Sequence, residues 1–299
     1  MAENTLYFGD NLDVLRRYID GESVDLVYLD PPFQSGEDYN VLFEQQDGKR
    51  DPAQIKAFED TWRWDQESAR AFNKVVESGG SVSRAMQAFR TFLGETDLLA
   101  YLAMMAPRLV ELHRVLKEDG TLFLHCDPTA SHYLKSLLDA IFGPKNFLNE
   151  IIWERTTPKG LMHRSLPTNH DVIFAYAKSD EARWNEDAMF VPYDPDDLPE
   201  SIEKKYSRVD EDGRRYQLTS LLNPNKDRPN LEYEFLGVTR VWRWTKERMQ
   251  KAYERGEVVQ TAPGNVPRQK RYLDEQRGMP LDDVWDDIDP INSQADERL

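Results

Sequence analysis

The run Val24-Asp25-Leu26-Val27-Tyr28-Leu29 is apolar at every position but one and is halted by Asp30-Pro31-Pro32-Phe33. No other feature constrains the chain as much. So short and so continuous an apolar run reads as a strand buried on both faces, inside a sheet covered by other layers. Two consecutive prolines have no backbone N–H to give a ladder, so the strand must end there. The tetrapeptide is thus expected at the carboxyl end of an interior strand, where open α/β sheets place their ligand crevice.

The rest of the first 180 residues repeats the alternation. Thr5 to Phe8 is β-prone and stops at the turn Gly9-Asp10-Asn11, after which Leu12, Val14, Leu15 and Ile19 keep helical spacing up to Gly21. Residues 52–115 read as several helices. The strongest carries Leu98, Leu99, Leu102, Met105, Leu109, Leu112 and Leu116 at three- and four-residue steps, a core stripe. A second buried strand is expected over Thr121–His125. A helix with Tyr133, Leu137, Leu138 and Ile141 follows and ends near Gly143-Pro144, and further strands are expected at Glu150–Trp153 and Asp171–Tyr176. Strand and helix in alternation predict an α/β fold with helices covering a sheet. From about Ser179 to Gly278 the periodicity fades and Pro, Asp and Arg become frequent, with short strand-like pieces at Tyr233–Val241 and Glu257–Thr261. The expected organisation is a main domain over residues 1–178, a smaller irregular unit over 179–280 and a final segment over 281–299.

Composition removes several classes of function. The single cysteine, Cys126, excludes disulfides within the chain and any Cys-rich zinc site. His125-Cys126-Asp127 has no partner cluster, and His163 and His170 match no zinc spacing, so no metal is expected. No apolar run approaches the ~20 residues of a membrane span and no leader is evident, so a cytoplasmic protein is expected. The net charge of −16 is uneven: residues 201–280 hold 17 basic and 12 acidic side chains, whereas the remainder is strongly acidic. A local basic region on an acidic body can still grip nucleic acid.

The parts of Asp30-Pro31-Pro32-Phe33 suit one task. The exocyclic amine of adenine or cytosine is a poor nucleophile because its lone pair is delocalised into the ring. A carboxylate and a backbone carbonyl accepting its two N–H bonds would localise that pair on nitrogen. An aromatic face can stack on a base that has left the duplex. A methyl donor then has only to lie in line on the far side.

The tetrapeptide resembles the (Asp/Asn/Ser)-Pro-Pro-(Tyr/Phe/Trp) signature of amino-methyltransferases acting on DNA. The resemblance extends to Gly9-Asp10-Asn11, Asp38-Tyr39-Asn40-Val41-Leu42-Phe43, Gly120-Thr121-Leu122-Phe123-Leu124-His125-Cys126-Asp127 and Asn149-Glu150-Ile151-Ile152-Trp153. It continues through His170-Asp171-Val172-Ile173-Phe174-Ala175-Tyr176 and Asp283-Val284-Trp285 to Ile291-Asn292-Ser293-Gln294. The pattern is similar to the permuted beta-order subgroup, which includes type III modification subunits and orphan methylases.

The resemblance implies a Rossmann-like sheet of strand order 3-2-1-4-5-7-6, S-adenosyl-L-methionine as cofactor and double-stranded DNA as partner. A restriction subunit, a complementing chain and a homodimer are the further partners it admits. Asp30, Pro31, Pro32 and Phe33 would be catalytic; Asp10, Leu29, Asp30 and Asp127 would line the cofactor. Residues 179–280 would recognise the target, with Arg155, Lys159, Arg240, Arg243, Lys270 and Arg271 touching DNA. Asp at position 30 points to N6 of adenine, because Ser is more usual there in N4-cytosine enzymes. Cytosine N4 and a non-catalytic DNA-binding half are the alternatives. The subgroup's glycine turn for the cofactor is expected beyond Leu299, since no Gly-x-Gly triplet occurs in the 299 residues. On that expectation this is part of a longer or split enzyme, with the strand before Asp30 left on an open edge.

Overall fold

The computed structural model describes residues 4–32, 63–157 and 166–288, which form two compact units, one of Met1–Trp184 with Asp282–Leu299 and one of Asn185–Leu281.

The first unit runs α1 (Asn11–Tyr18), β1 (Val24–Leu29), α2 (Gln66–Glu77), α3 (Gly80–Leu93), α4 (Asp97–Val115), β2 (Leu116–Cys126), α5 (Pro128–Phe142), β3 (Phe147–Glu154) and β4 (His170–Ala177). The chain returns to this unit only at its far end. The second unit holds β5 (Phe190–Val191), α6 (Glu200–Lys205), β6 (Arg208–Val209), β7 (Arg215–Ser220), β8 (Glu232–Phe235), β9 (Val238–Val241), α7 (Lys246–Glu254), β10 (Val258–Val259), β11 (Arg268–Tyr272) and β12 (Met279–Pro280). Strand β13 (Val284–Trp285) then joins the first.

The central sheet has the order β1-β2-β4-β3-β13. Strands β1 and β2 are parallel, as are β3 and β13, while β4 runs antiparallel to both its neighbours. It is a mixed α/β sheet. Its first four strands, with the last in sequence inserted between the second and third, reproduce the 4-5-7-6 half of the order that the resemblance implied. Helix α4 drives the packing. It is apolar around most of its circumference, and Leu99, Leu102, Met105, Leu109 and Leu112 join Leu122 and Leu124 of β2 and Phe174 and Tyr176 of β4 in one buried cluster. Thr96 caps its start by accepting from the Leu99 N–H. Leu116, at its far end, already belongs to β2, so no linker separates helix from strand.

One expectation changes and another holds. Thr5–Phe8 pairs with no strand among the described residues, and Leu6 and Phe8 stand in solvent. A strand needs a neighbour for its backbone groups, and β propensity alone does not supply one. The apolar run alone reads as an interior strand, but the resemblance implied an open edge before Asp30, and among the described residues β1 forms the sheet edge, with Leu26 and Tyr28 exposed.

The second unit has its own core of Leu221, Phe235, Val238, Trp242, Met249, Ala252 and Val258. Trp242 is wholly buried, and its indole donates to the Tyr233 carbonyl at 2.9 Å. The hairpin β8–β9 turns through Leu236 and Gly237, both at positive φ, as a two-residue loop requires. A separate four-stranded sheet of order β10-β11-β7-β6 carries Arg208, Arg215, Arg268, Lys270 and Arg271.

Candidate active site

Strand register decides what surrounds Asp30. Leu29 lies beside Leu124, which puts Asp30 next to His125. His125 is paired with Ile173, and Asp171 lies two residues before Ile173 on the same face. Asp171 in turn is paired with Trp153, two residues before Arg155. Because β4 is antiparallel and β3 runs with β2, the carboxyl ends of β1, β2 and β3 meet the amino end of β4. Four segments far apart in sequence therefore converge on one face at one end of the sheet.

The contacts are short. His125 Nδ1 lies 3.2 Å from Asp30 Oδ1, and its Nε2 lies 3.2 Å from Asp171 Oδ2. Arg155 Nε lies 3.2 Å from Asp171 Oδ1. The imidazole packs edge-on against Trp153, with ring centroids 5.7 Å apart. Exposure grades sharply along the chain of charges: the Asp171 side chain is 3% exposed, His125 9% and Asp30 60%. The two end groups, Asp30 and Arg155, reach solvent, and the two between them are buried. Burial by itself disfavours the charged imidazole, but hydrogen bonds to Asp171 and Asp30 outweigh it and push the His125 pKa up to about 9. Tyr28 is raised by burial and by the Asp30 charge. The Cys126 thiol, driven up strongly by burial and then by Asp127, is no nucleophile near neutral pH.

Pro31 is buried and Pro32 half-buried, so the backbone after Asp30 is wedged in place. Phe33 and Lys159 lie outside the described residues. Leu29 closes β1 and is half-buried. Asp10 caps α1 by accepting from the Leu12 N–H at 2.9 Å and also pairs with Arg108 at 2.7 Å. Asp127 caps α5 through the Ala130 N–H.

Arg155 is paired with Asp171, and Arg240, Arg243, Lys270 and Arg271 belong to the second unit. Arg240 and Arg243 are exposed, and their guanidinium groups donate to the carbonyls of Thr239 and Leu222. Lys270 lies over the Tyr216 ring at 4.9 Å, and Arg271 is exposed. The sequence reading missed the partnership of His125 with Asp171. The available signal was Asp171 itself, a carboxylate at the head of the apolar run Val172–Ala177.

Residues 24–298 match the family model described as DNA methylase, of the N6/N4 type. The chain belongs to the DNA methylase family. Relatives include the type II methyltransferase M.EcaI of Enterobacter cloacae, 24% identical over 98% of this chain and 54% of that protein. The StyLTI Mod subunit of a Salmonella typhimurium type III restriction-modification enzyme is 24% identical over 96% of this chain and 41% of its own length. The EcoP15I Mod subunit of Escherichia coli is 28% identical over 60% of this chain and 25% of its own length. The chain thus spans about half, or less, of these relatives. A Thermus thermophilus structure described as a DNA modification methylase, complexed with S-adenosyl-L-methionine, aligns at 16% identity over 67% of this chain and 65% of that one. Its TM-score of 0.31 is too low to carry an inference.

Members of this methylase family use S-adenosylmethionine, and the donor set here suits it. The molecule is a cation with amine and hydroxyl donors. Asp30 and Asp127 are acceptors at the carboxyl ends of two adjacent parallel strands, and Asp10 is a third acceptor at the start of α1.

Proposed function

We propose that this DNA methylase transfers a methyl group from S-adenosylmethionine to the N6 amine of adenine in DNA. The observation that carries the reading is an exposed carboxylate, Asp30, fixed from behind by His125 and followed by a buried proline. Asp30 accepts one N–H of the target amine. A carbonyl of the Asp30-Pro31-Pro32 backbone, which has no competing N–H at either proline, accepts the other. The two bonds localise the lone pair on nitrogen, out of conjugation with the ring. Bound S-adenosylmethionine supplies an electrophilic methyl group. Asp10, Leu29, Asp30 and Asp127 are the residues that would hold it, and Phe33 would stack on the base. Adenine is favoured over cytosine because position 30 is Asp and not Ser.

The second unit suits the grip on double-stranded DNA. Arg240, Arg243, Lys270 and Arg271 are its proposed contacts, to which the fold adds Lys205, Arg208 and Arg268. These three line one shallow concavity with Gln217 and Thr261, and among the described residues none of them is in an ion pair. Cations so placed are available to phosphates. By analogy with the Mod subunits among its relatives, a restriction subunit is a proposed partner.

Incubation with S-adenosylmethionine and unmethylated genomic DNA, followed by nucleoside mass spectrometry, tests the reading. N6-methyladenine with the native protein, and none with Asp30→Ala, is the expected result. N4-methylcytosine would overturn the choice of base, and no methylated nucleoside would overturn the reaction.

A further inference from the structure

We infer that His125 is a positioning residue for Asp30: a doubly protonated ring, held by buried Asp171 and Arg155, that fixes the carboxylate presented to the target amine. The inference rests on the methyl-transfer reading for its kinetic consequence and on geometry alone for the clamp.

The geometry is unusual in one respect. Both ring nitrogens of His125 face carboxylate oxygens, each at 3.2 Å. A neutral imidazole has one N–H and one lone pair, so it could donate to only one of them and would turn its lone pair on the other. Two acceptors fit a ring with two protons. Arg155 lies 3.2 Å from the far oxygen of Asp171, an ion pair without hydrogen-bond geometry, so the four groups form the alternating series Asp30, His125, Asp171, Arg155. Among the described residues these are the charged groups that face the ring: Asp30 from the end of β1, Asp171 from β4, and Arg155 through Asp171 from the end of β3. Trp153 closes the edge. Burial and the two hydrogen-bonded carboxylates together leave the ring charged at neutral pH.

The consequence falls on Asp30. Its side chain is mostly exposed, and among the described residues His125 is the one side chain that pairs with it. A carboxylate in water rotates freely about χ1 and χ2. One bound through Oδ1 presents Oδ2 in a fixed direction. The amine must be held within a narrow angle for its lone pair to line up with a methyl group, and a misplacement of about 1 Å costs on the order of 100-fold in rate. His125 touches neither base nor donor in this account, and its effect passes through Asp30.

Two measurements test it. In the first, the imidazole resonances of the native protein are titrated by NMR, with His125 assigned by its absence in His125→Gln. The ring should stay doubly protonated well above the ordinary histidine range, and Asp30→Asn and Asp171→Asn should each lower its midpoint. A midpoint near 6.5, or one indifferent to both substitutions, overturns the clamp.

In the second, single-turnover methyl transfer is measured for His125→Gln and for the double variant His125→Gln/Asp171→Asn, which leaves no unpaired buried carboxylate. Both should be slower by about 100-fold, with DNA affinity within about threefold of native and circular dichroism unchanged. If His125 only balances a buried charge, the double variant will regain the native rate, and the inference fails. A native protein that transfers methyl groups while His125→Gln matches it also sinks this inference and spares the proposed function. A native protein that transfers nothing, with the titration as expected, does the reverse.

Discussion

Raising the pH from about 6.5 to about 8.5 should cost the folded protein ~2 kcal/mol, and the cost traces to His125. Burial opposes the charged ring, but hydrogen bonds to Asp171 and Asp30 carry its pKa from 6.5 to about 9 in the folded protein. A raised pKa gives stability that is fully present below the unfolded value and is lost as pH rises through the folded one. Between those limits the folded protein holds one more proton than the unfolded chain, so stability falls by about 1.4 kcal/mol per pH unit. Asp171 is almost fully buried, so solvent screens its share weakly.

Two other groups border the window. His113, pulled down by burial and then by Lys178, acts with the opposite sign and only below about pH 6.5. The Cys126 thiol is raised by burial and would steepen the fall near and above pH 9, so the measurement belongs in a Cys126→Ser background. The assay is urea unfolding at half-unit pH steps, repeated for His125→Gln and Asp171→Asn. The slope should vanish in the first and shrink in the second. A flat profile between about pH 6.5 and 8.5 in the parent, or an undiminished slope in His125→Gln, refutes the reasoning.

Three further outcomes follow from other parts of the molecule. Trp242→Ala empties the centre of the second unit's core and removes the bond to the Tyr233 carbonyl, so it should cost about 3–5 kcal/mol, read as a lowered urea midpoint. Tyr176→Phe deletes a 2.7 Å bond to the Asp139 carboxylate and should cost about 1.5–3 kcal/mol; a change below about 0.5 would show that this bond is idle. Arg208→Ala and Arg268→Ala should each weaken DNA binding on every sequence alike and lower the salt dependence of log K by about 1, measured by fluorescence anisotropy across a salt series.

The first unit was readable because its elements bury apolar side chains in regular periods. The Leu/Met stripe of α4 and the runs Val24–Leu29 and Thr121–His125 marked its helix and strands, although β2 begins earlier, at Leu116. The second unit was read less well for the same reason. Strands β7 (Arg-Tyr-Gln-Leu-Thr-Ser) and β11 (Arg-Gln-Lys-Arg-Tyr) pair with each other over five residues, yet neither is apolar, and nothing in their composition marks a strand. Thr5–Phe8 failed in the opposite sense, having the composition of a strand and no partner among the described residues. At the site, Asp30 was visible because two prolines follow it. His125 and Asp171 were not, because 46 residues separate them and only the register of β2 against β4 brings them together.

That register explains why a buried aspartate is tolerated at the head of an otherwise apolar strand. An isolated ionised carboxylate in such a place is strongly unfavourable, and a well-packed apolar residue of similar volume would avoid that cost. The position makes physical sense only with His125 beside it, and His125, with two acceptors at equal distance, makes sense only as a cation. The cation in turn has a use only if Asp30, which water reaches, has to be held still. From buried Asp171 outwards to Asp30, each group in the series answers a cost created by the one before it. The series ends at the single oxygen that the proposed reaction requires to be both exposed and fixed.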